Sequence, residues 1–98
     1  MKYRISARAD SDLDDIWLYT DKNWSLEQAR KYYNLILDKI EYLAAHPSSG
    51  RPVSHRAKGY RCSQVKSHLI FYREVSSSEI EVIRILHKRM DIENRLSD

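Results

Sequence analysis

The sequence predicts an α+β domain in the order β-α-α-β-β-β-α, a helical hairpin packed on one face of a small, mainly antiparallel sheet. Three observations predict it. Between Ala9 and Leu43, apolar residues recur at three- and four-residue steps in two runs, as amphipathic helices require. Two further apolar runs, Ser67-His-Leu-Ile-Phe-Tyr-Arg73 and Glu79-Ile-Glu-Val-Ile-Arg-Ile-Leu86, flank a Ser-rich turn. Only two Gly and two Pro occur among 98 residues, which argues against disorder and against a loop-rich fold.

Tyr3 and Ile5 alternate with Lys2 and Arg4, the pattern of a short, half-exposed strand. Ala9, Leu13, Ile16, Trp17, Thr20 and Trp24 then form one helical stripe. Asp12, Asp15 and Lys22 fall on its opposite face, and the acids Asp10 and Asp12 suit the positive end of a helix. Ser25-Leu-Glu-Gln28 reads as a capping box, in which the Ser hydroxyl takes the third amide and Gln reaches back. It opens a second helix with Leu26, Ala29, Tyr33, Ile36, Ile40 and Leu43 on one stripe. His46-Pro47 ends that helix, because proline disfavours helical backbone in the residue before it.

Ser48-Ser-Gly-Arg-Pro52 is a turn, and the loop runs on to Gly59. Tyr60 to Val65 is a less regular strand. In Leu69-Ile-Phe-Tyr72 consecutive residues are apolar, as are Val82-Ile83 and Ile85-Leu86, so these two strands are expected at the sheet centre with both faces covered. Ser76-Ser77-Ser78 joins them as a hairpin, and Asp91 is placed to cap a last short helix over Ile92 to Leu96. By the two-residue period, Ile83 and Ile85 face away from Ile80, Val82 and Leu86. One of these sets needs a cover beyond the helical hairpin, and an exposed apolar sheet face on a small protein marks a partner site.

Ninety-eight residues bound the chain to one domain, residues 1–98. The single Cys62 excludes an internal disulfide, and no apolar run approaches a membrane span or has the form of a signal peptide. A cytoplasmic protein without membrane association is the expectation. Charge is uneven: from Asp10 to Glu27 there are six acids and one base, whereas from Arg51 to Arg73 there are six bases and no acid. The second stretch offers a basic face to nucleic acid or to an acidic protein, against the plainer reading of a solvated surface. His46, His55, His68 and His87 are scattered and Cys62 has no ligand at zinc-finger spacing, so no metal is assigned. The acids Asp10, Asp12, Asp14 and Asp15 lack the glycine of a calcium loop and read as a solvated helix start. No Gly-rich phosphate loop occurs, and no cofactor is expected.

Ala9-x-x-x-Leu13-x-x-Ile16, Ala29-x-x-Tyr32, Leu43-x-x-x-Pro47-x-x-Gly50, Gly59-Tyr60-Arg61, His68-Leu-Ile-Phe-Tyr-Arg73 and Ile83-Arg-Ile-Leu-His-Lys-Arg-Met-Asp91 follow one another in that order. Together they resemble the ParE branch of the RelE/ParE toxins over nearly the whole chain. The resemblance implies the toxin of a type II toxin–antitoxin system, held in a hetero-oligomer by a ParD-like antitoxin whose disordered tail folds as it binds. It implies DNA gyrase as the target and contact with DNA only through the antitoxin. The RelE branch, which shares the fold, instead cuts mRNA on the ribosome, and a non-toxic antitoxin-binding module is a third reading.

Metal-free RNA cleavage needs a base, an acid and cations on the phosphate. His87, at a strand end beside Lys88, is the nuclease candidate, with Arg61 as a further cation. Leu69 stands where RelE-type nucleases carry an Arg, and a His that hydrogen-bonds the chain exit fits the ParE-like motif better, so no catalytic residue is assigned. Arg84, inside an apolar strand, needs a partner, for which an acid of the first helix is suited. The antitoxin surface is assigned to Trp17, Trp24, Arg61, Tyr72, Ile83 and Ile85. Trp24 is taken as an anchor because Trp is enriched at interface hot spots. From local charge, the gyrase surface is assigned to Arg56 and Lys58 in the basic loop, Lys88, Arg89 and Met90 at the strand exit, and Arg95 in the last helix.

Overall fold

A computed structural model of the chain describes residues 2–53, 59–90 and 92–97. The elements are β1 (Lys2–Ile5), α1 (Ala7–Asn23), α2 (Leu26–Ala45), β2 (Arg51–Pro52), β3 (Arg61–Val65), β4 (His68–Ser76), β5 (Glu79–His87) and α3 (Ile92–Ser97). The five strands form one sheet in the order β1-β5-β4-β3-β2. β1 runs parallel to β5, and every other pairing is antiparallel. The predicted α+β architecture is the observed one. A two-residue edge strand, β2, and a 3-10 turn over Pro47–Ser49 add to the expected order.

The helix starts follow from local chemistry. Ser6 caps α1, its hydroxyl accepting from the Ala9 amide at 3.0 Å. Ser25 caps α2 in the same way through Gln28 N–H at 3.0 Å. The return half of the capping box does not form, because the Ser25 amide already donates to the Thr20 carbonyl at 3.2 Å across the hairpin turn. Trp24 and Leu26, counted on the apolar stripes, are 75% and 50% exposed: both sit at the tip of the hairpin, where α1 gives way to α2.

Between the hairpin and the sheet lies the main core. Ala9, Leu13, Ile36, Ile40 and Leu43 from the helices meet Val65, Ile70, Tyr72, Ile80, Val82 and Ile85 from the strands. The second sheet face is not left bare, contrary to expectation. Cys62, Leu69, Phe71 and Leu86 are buried there beneath Val53, Ile92 and Leu96, so α3 supplies the cover from within the chain. The capping role expected of Asp91 falls outside the described residues.

The face assignment of β5 changes at a β-bulge. Phe71 pairs with Arg84 and Tyr72 with Val82, which leaves Ile83 as the extra residue. Ile80, Val82 and Ile85 therefore share the hairpin side, while Arg84 and Leu86 share the other. Two residues, Ser6 and Asp12, hold the bulge. Ser6 N–H donates to the Val82 carbonyl at 3.0 Å, and its hydroxyl donates to the Ile83 carbonyl at 2.9 Å. Asp12 accepts the Ile85 amide at 2.9 Å and pairs with Arg84 through two bonds, at 2.9 and 3.1 Å. Arg84 has the partner from the first helix that its apolar strand demanded. Asp12 consequently belongs to the buried frame and not to the solvated acidic face.

Tyr72, fully buried, ties the α2–β2 connection to the sheet. Its hydroxyl donates to the Pro47 carbonyl at 2.7 Å and accepts from the Gly50 amide at 2.9 Å. A Cβ on Gly50 would overlap that hydroxyl. Tyr72→Phe strands two buried backbone groups and is expected to cost about 1–3 kcal/mol. Urea unfolding followed by circular dichroism measures it, and an unchanged midpoint would show that water replaces the hydroxyl.

Candidate functional site

A groove of about 680 Å³ opens between the tip of the helical hairpin and the ends of β4 and β5. Its wall is Tyr19, Thr20 and Trp24 from the end of α1 with Gln28, Lys31, Tyr32 and Leu35 from α2; the β3–β4 turn adds Lys66 and Ser67, and His68 and His87 form the floor. Tyr19 is 65% exposed and Leu35 39%, and with Trp24 they make an apolar rim unusual for surface helices. The charged residues on the lining, Lys31 and Lys66, are both cationic. Lys66 adopts a left-handed backbone, φ 50°, in the two-residue turn that lifts it over the floor.

His68 and His87 are direct cross-strand partners, their rings edge-to-face at 5.3 Å. The Arg89 amide donates to His87 Nδ1 at 3.1 Å, so the neutral ring carries its proton on Nε2. The Tyr32 hydroxyl donates to the Val65 carbonyl at 3.2 Å, and its oxygen lies 2.5 Å from His68 Nδ1, which supplies the other proton. The floor thus offers one imidazole donor and one imidazole acceptor. A metal bridging the two Nε2 atoms would require His87 to give up its bond from Arg89, and among the described residues no group of three metal-ligating side chains occurs.

Burial, and secondarily the neighbouring His87, hold His68 well below the usual imidazole range, at about 4, against a partial upward pull from Asp12. Burial likewise raises the Tyr32 phenol, which stays protonated. The consequence for stability has a definite sign. Between pH 6.5 and about 4 the unfolded chain takes up a proton at His68 that the folded chain refuses, so stability falls as pH falls through that window. Above pH 6.5 the effect vanishes. Discounted for the solvent contact of the ring, the loss is about 1–2 kcal/mol. His68→Gln is expected to flatten the profile between pH 7 and 4.5 in thermal melts, and an unaltered slope would assign it to other groups.

Of the residues assigned beforehand to an antitoxin surface, the groove contains only Trp24. Trp17 is half-buried against Tyr33, ring centroids 5.5 Å apart. Arg61 is engaged by its own chain, donating to the Gly50 carbonyl at 2.7 Å and the Ser48 carbonyl at 3.4 Å. Tyr72 is 0% and Ile85 2% exposed, in the core under the hairpin, so neither can touch a partner. Ile83, displaced by the bulge, lies half-buried elsewhere, next to Arg8 and Arg95. The nuclease set is not assembled. Arg61 and His87 sit at opposite ends of the sheet, separated by the length of β3, about 13 Å at 3.3 Å per residue. His87 instead makes the chain-exit hydrogen bond that was expected of a structural role. Lys88, Arg89 and Met90 are exposed at that exit, while Arg95 lies near the other end of α3; Arg56 and Lys58 lie outside the described residues, as does His55.

Tyr19, Lys31, Tyr32, Leu35, Lys66 and His68 were not singled out as groove residues. Tyr19 and Leu35 did carry a signal, since each is apolar yet out of phase with its helix's buried stripe.

A helical hairpin packed on a five-stranded mixed sheet is a fold that this chain shares with chains of toxin–antitoxin complexes. The chain superimposes on a chain of the chromosomal ParDE system of P. aeruginosa with a TM-score of 0.75 at 25% identity, covering 89% of this chain and 95% of that one. It also matches a chain of the RelBE2 toxin–antitoxin complex of Mycobacterium tuberculosis in fold, with a TM-score of 0.60 at 16% identity over 89% and 96% of the two chains. Residues 3–92 match the model of the ParE toxin of type II toxin–antitoxin systems, parDE. Toxin ParE1 of Caulobacter vibrioides is 43% identical over 91% of both chains, and Toxin ParE1 of Mycobacterium tuberculosis 36% identical over 97% of both. The chain belongs to the ParE toxin family.

Proposed function

We propose that this ParE-family toxin acts by binding and blocking DNA gyrase, and that a ParD-like antitoxin neutralises it by laying an amphipathic segment into the groove at the hairpin tip. The match to the ParE family over residues 3–92 carries the reading. The groove supports its second half. Trp24, Tyr19 and Leu35 offer apolar anchorage, and Lys31 and Lys66 favour a segment with acids on its flank. A chain that folds on binding gains both contact types at once. Arg61 is separated from His87 by the length of β3, about 13 Å at 3.3 Å per residue, and a ring held at about 4, like His68, is a weak base, which supports a non-catalytic toxin over an RNA-cleaving one.

Purified toxin in a gyrase supercoiling assay tests the target. Inhibition is expected, relieved by pre-mixing with the antitoxin. Full gyrase activity at excess toxin, together with intact DNA in cells that express it, would refute the target, and toxin-dependent cleavage of ribosome-bound mRNA would replace it.

A further inference from the structure

The groove at the hairpin tip is apolar at its rim and polar at its floor, where the half-buried rings of His68 and His87 meet edge-to-face. Each ring has one nitrogen held by its own chain. His68 Nδ1 bonds the Tyr32 hydroxyl, and His87 Nδ1 accepts the Arg89 amide at 3.1 Å. Neither Nε2 atom has a hydrogen-bond partner among the described residues, and no side-chain nitrogen there is both buried and unpartnered. Both Nε2 atoms therefore meet solvent, and the groove is the opening that the two rings share. Their roles differ. The bond from Arg89 leaves the His87 proton on Nε2, which makes it a donor. The proton that His68 gives to the Tyr32 oxygen leaves its Nε2 bare, an acceptor. Burial, with His87 beside it, holds the His68 pKa at about 4, so that ring is neutral at physiological pH.

We propose that the floor selects a carboxamide: a Gln or Asn of the antitoxin segment lies over it, its oxygen accepting from His87 Nε2 and its nitrogen donating to His68 Nε2. Such selection rests on the groove being the antitoxin site. A segment that seals the groove cuts both Nε2 atoms off from water, and an apolar side chain there would strand a donor and an acceptor together. A carboxylate serves the donor but sets its lone pairs against the bare His68 nitrogen. An ammonium serves the acceptor but faces the His87 N–H and the lysines of the wall, Lys31 and Lys66. A carboxamide carries both functions on separate atoms, as the floor carries them on separate rings. A hydroxyl would have to reach both rings with one oxygen. The groove thus reads charge at its wall and hydrogen-bond direction at its floor, and a partner whose floor residue has the wrong direction leaves polar atoms unpaired.

Long-range proton–nitrogen NMR of the free toxin reads the two tautomers. A proton on Nδ1 of His68 and on Nε2 of His87 is expected; a proton on Nε2 of both rings would make two donors and overturn the proposal. Titration calorimetry with the full-length antitoxin reads the contact. His87→Phe keeps a ring at the strand end and gives up only an exposed bond within its own chain, so the toxin is expected to melt within a few degrees of the parent. It is expected to weaken antitoxin binding about tenfold, because a covered carboxamide loses its donor. The polar residues of the antitoxin are then exchanged one at a time, Asn and Asp for Leu, Gln and Glu for Met, Ser for Ala and Thr for Val. One Asn or Gln exchange is expected to cost about tenfold or more against the parent toxin and at least about threefold less against H87F. Coupling of His87 to an Asp, Glu, Ser or Thr instead, or to no residue, overturns the proposal. H87F equal to the parent beside a weakened W24A rejects the carboxamide contact and leaves the groove as the antitoxin site. H87F and W24A both equal to the parent remove the antitoxin from the groove, and this contact with it.

Discussion

Asp12→Ala is expected to be the most destabilising single change in this chain, at about 3–5 kcal/mol. Asp12 lies on α1 with its side chain only 12% exposed, opposite an Arg84 side chain that is 11% exposed. Its carboxylate accepts two bonds from the Arg84 guanidinium and one from the Ile85 amide. Removing it takes a carboxylate away from a largely buried guanidinium and leaves the part-buried Ile85 amide without its acceptor, each costly away from bulk water. It also releases β5 just after the bulge at Ile83, where the strand has the fewest ladder bonds to spare. A domain this small has a total stability of about 5–15 kcal/mol, so the loss consumes about a fifth of it or more. The melting temperature is expected to drop by about 15 °C or more, read by differential scanning calorimetry. The double replacement D12L/R84M separates the causes. Replacing an ion pair of this kind by apolar groups of similar volume is close to neutral, so the double variant should recover the ion-pair share of the loss and keep the share due to the Ile85 amide. If D12A melts within a few degrees of the parent, the pair is solvated in practice and the bulge is held by Ser6 alone.

The same region marks where reading the sequence stops working. The helical hairpin was legible because its two stripes are long and regular, and the burial of Ala9, Leu13, Ala29, Ile36, Ile40 and Leu43 follows them. The central strands were legible because Leu69 to Tyr72 are apolar without alternation, and both faces are indeed covered. The face of each β5 residue was not. A two-residue period carries no mark of an extra residue, and the groups that impose the bulge, Ser6 and Asp12, lie more than seventy positions away in sequence. That slip moved Ile85 to the wrong face and created an uncovered surface that α3 in fact fills. Ile92 and Leu96 are too few to announce a covering helix by periodicity, yet they close the second core over Leu69, Phe71 and Leu86. Arg84 was legible for the opposite reason, since a charge inside an apolar strand must find a partner. The groove was half legible. Trp24 stood out by residue type, but His68 and His87 meet only through the β4–β5 register, which pairs residues nineteen apart.

Trp24→Ala is expected to weaken antitoxin binding by about 2–4 kcal/mol, roughly thirtyfold to a thousandfold in Kd, while leaving the toxin's own stability nearly unchanged. The separation of the two effects follows from where the side chain sits. At 75% exposed, Trp24 contributes little burial to the folded chain. Its backbone amide, which closes α1 on the Thr20 carbonyl at 2.9 Å, survives the substitution. A change at an exposed site of this kind falls within about 0.5 kcal/mol of neutral for folding. In a complex the position reverses. The indole stands at the mouth of the groove beside Tyr19 and Gln28, with Lys31 one helical turn beyond Gln28, so a helix lying along the groove must cover it. Full desolvation of an indole that costs nothing to leave exposed is the largest gain any one residue here can give a partner. Titration calorimetry of parent and variant toxin with the antitoxin measures the difference. Leu26, 50% exposed at the same hairpin tip but not among the groove's lining residues, supplies the comparison. Leu26→Ala should leave Kd within about threefold, since an exposed residue outside the contact carries no binding energy. Equal losses for both variants would move the antitoxin from the groove to the outer face of the helical hairpin. No loss for either would remove it from the hairpin altogether.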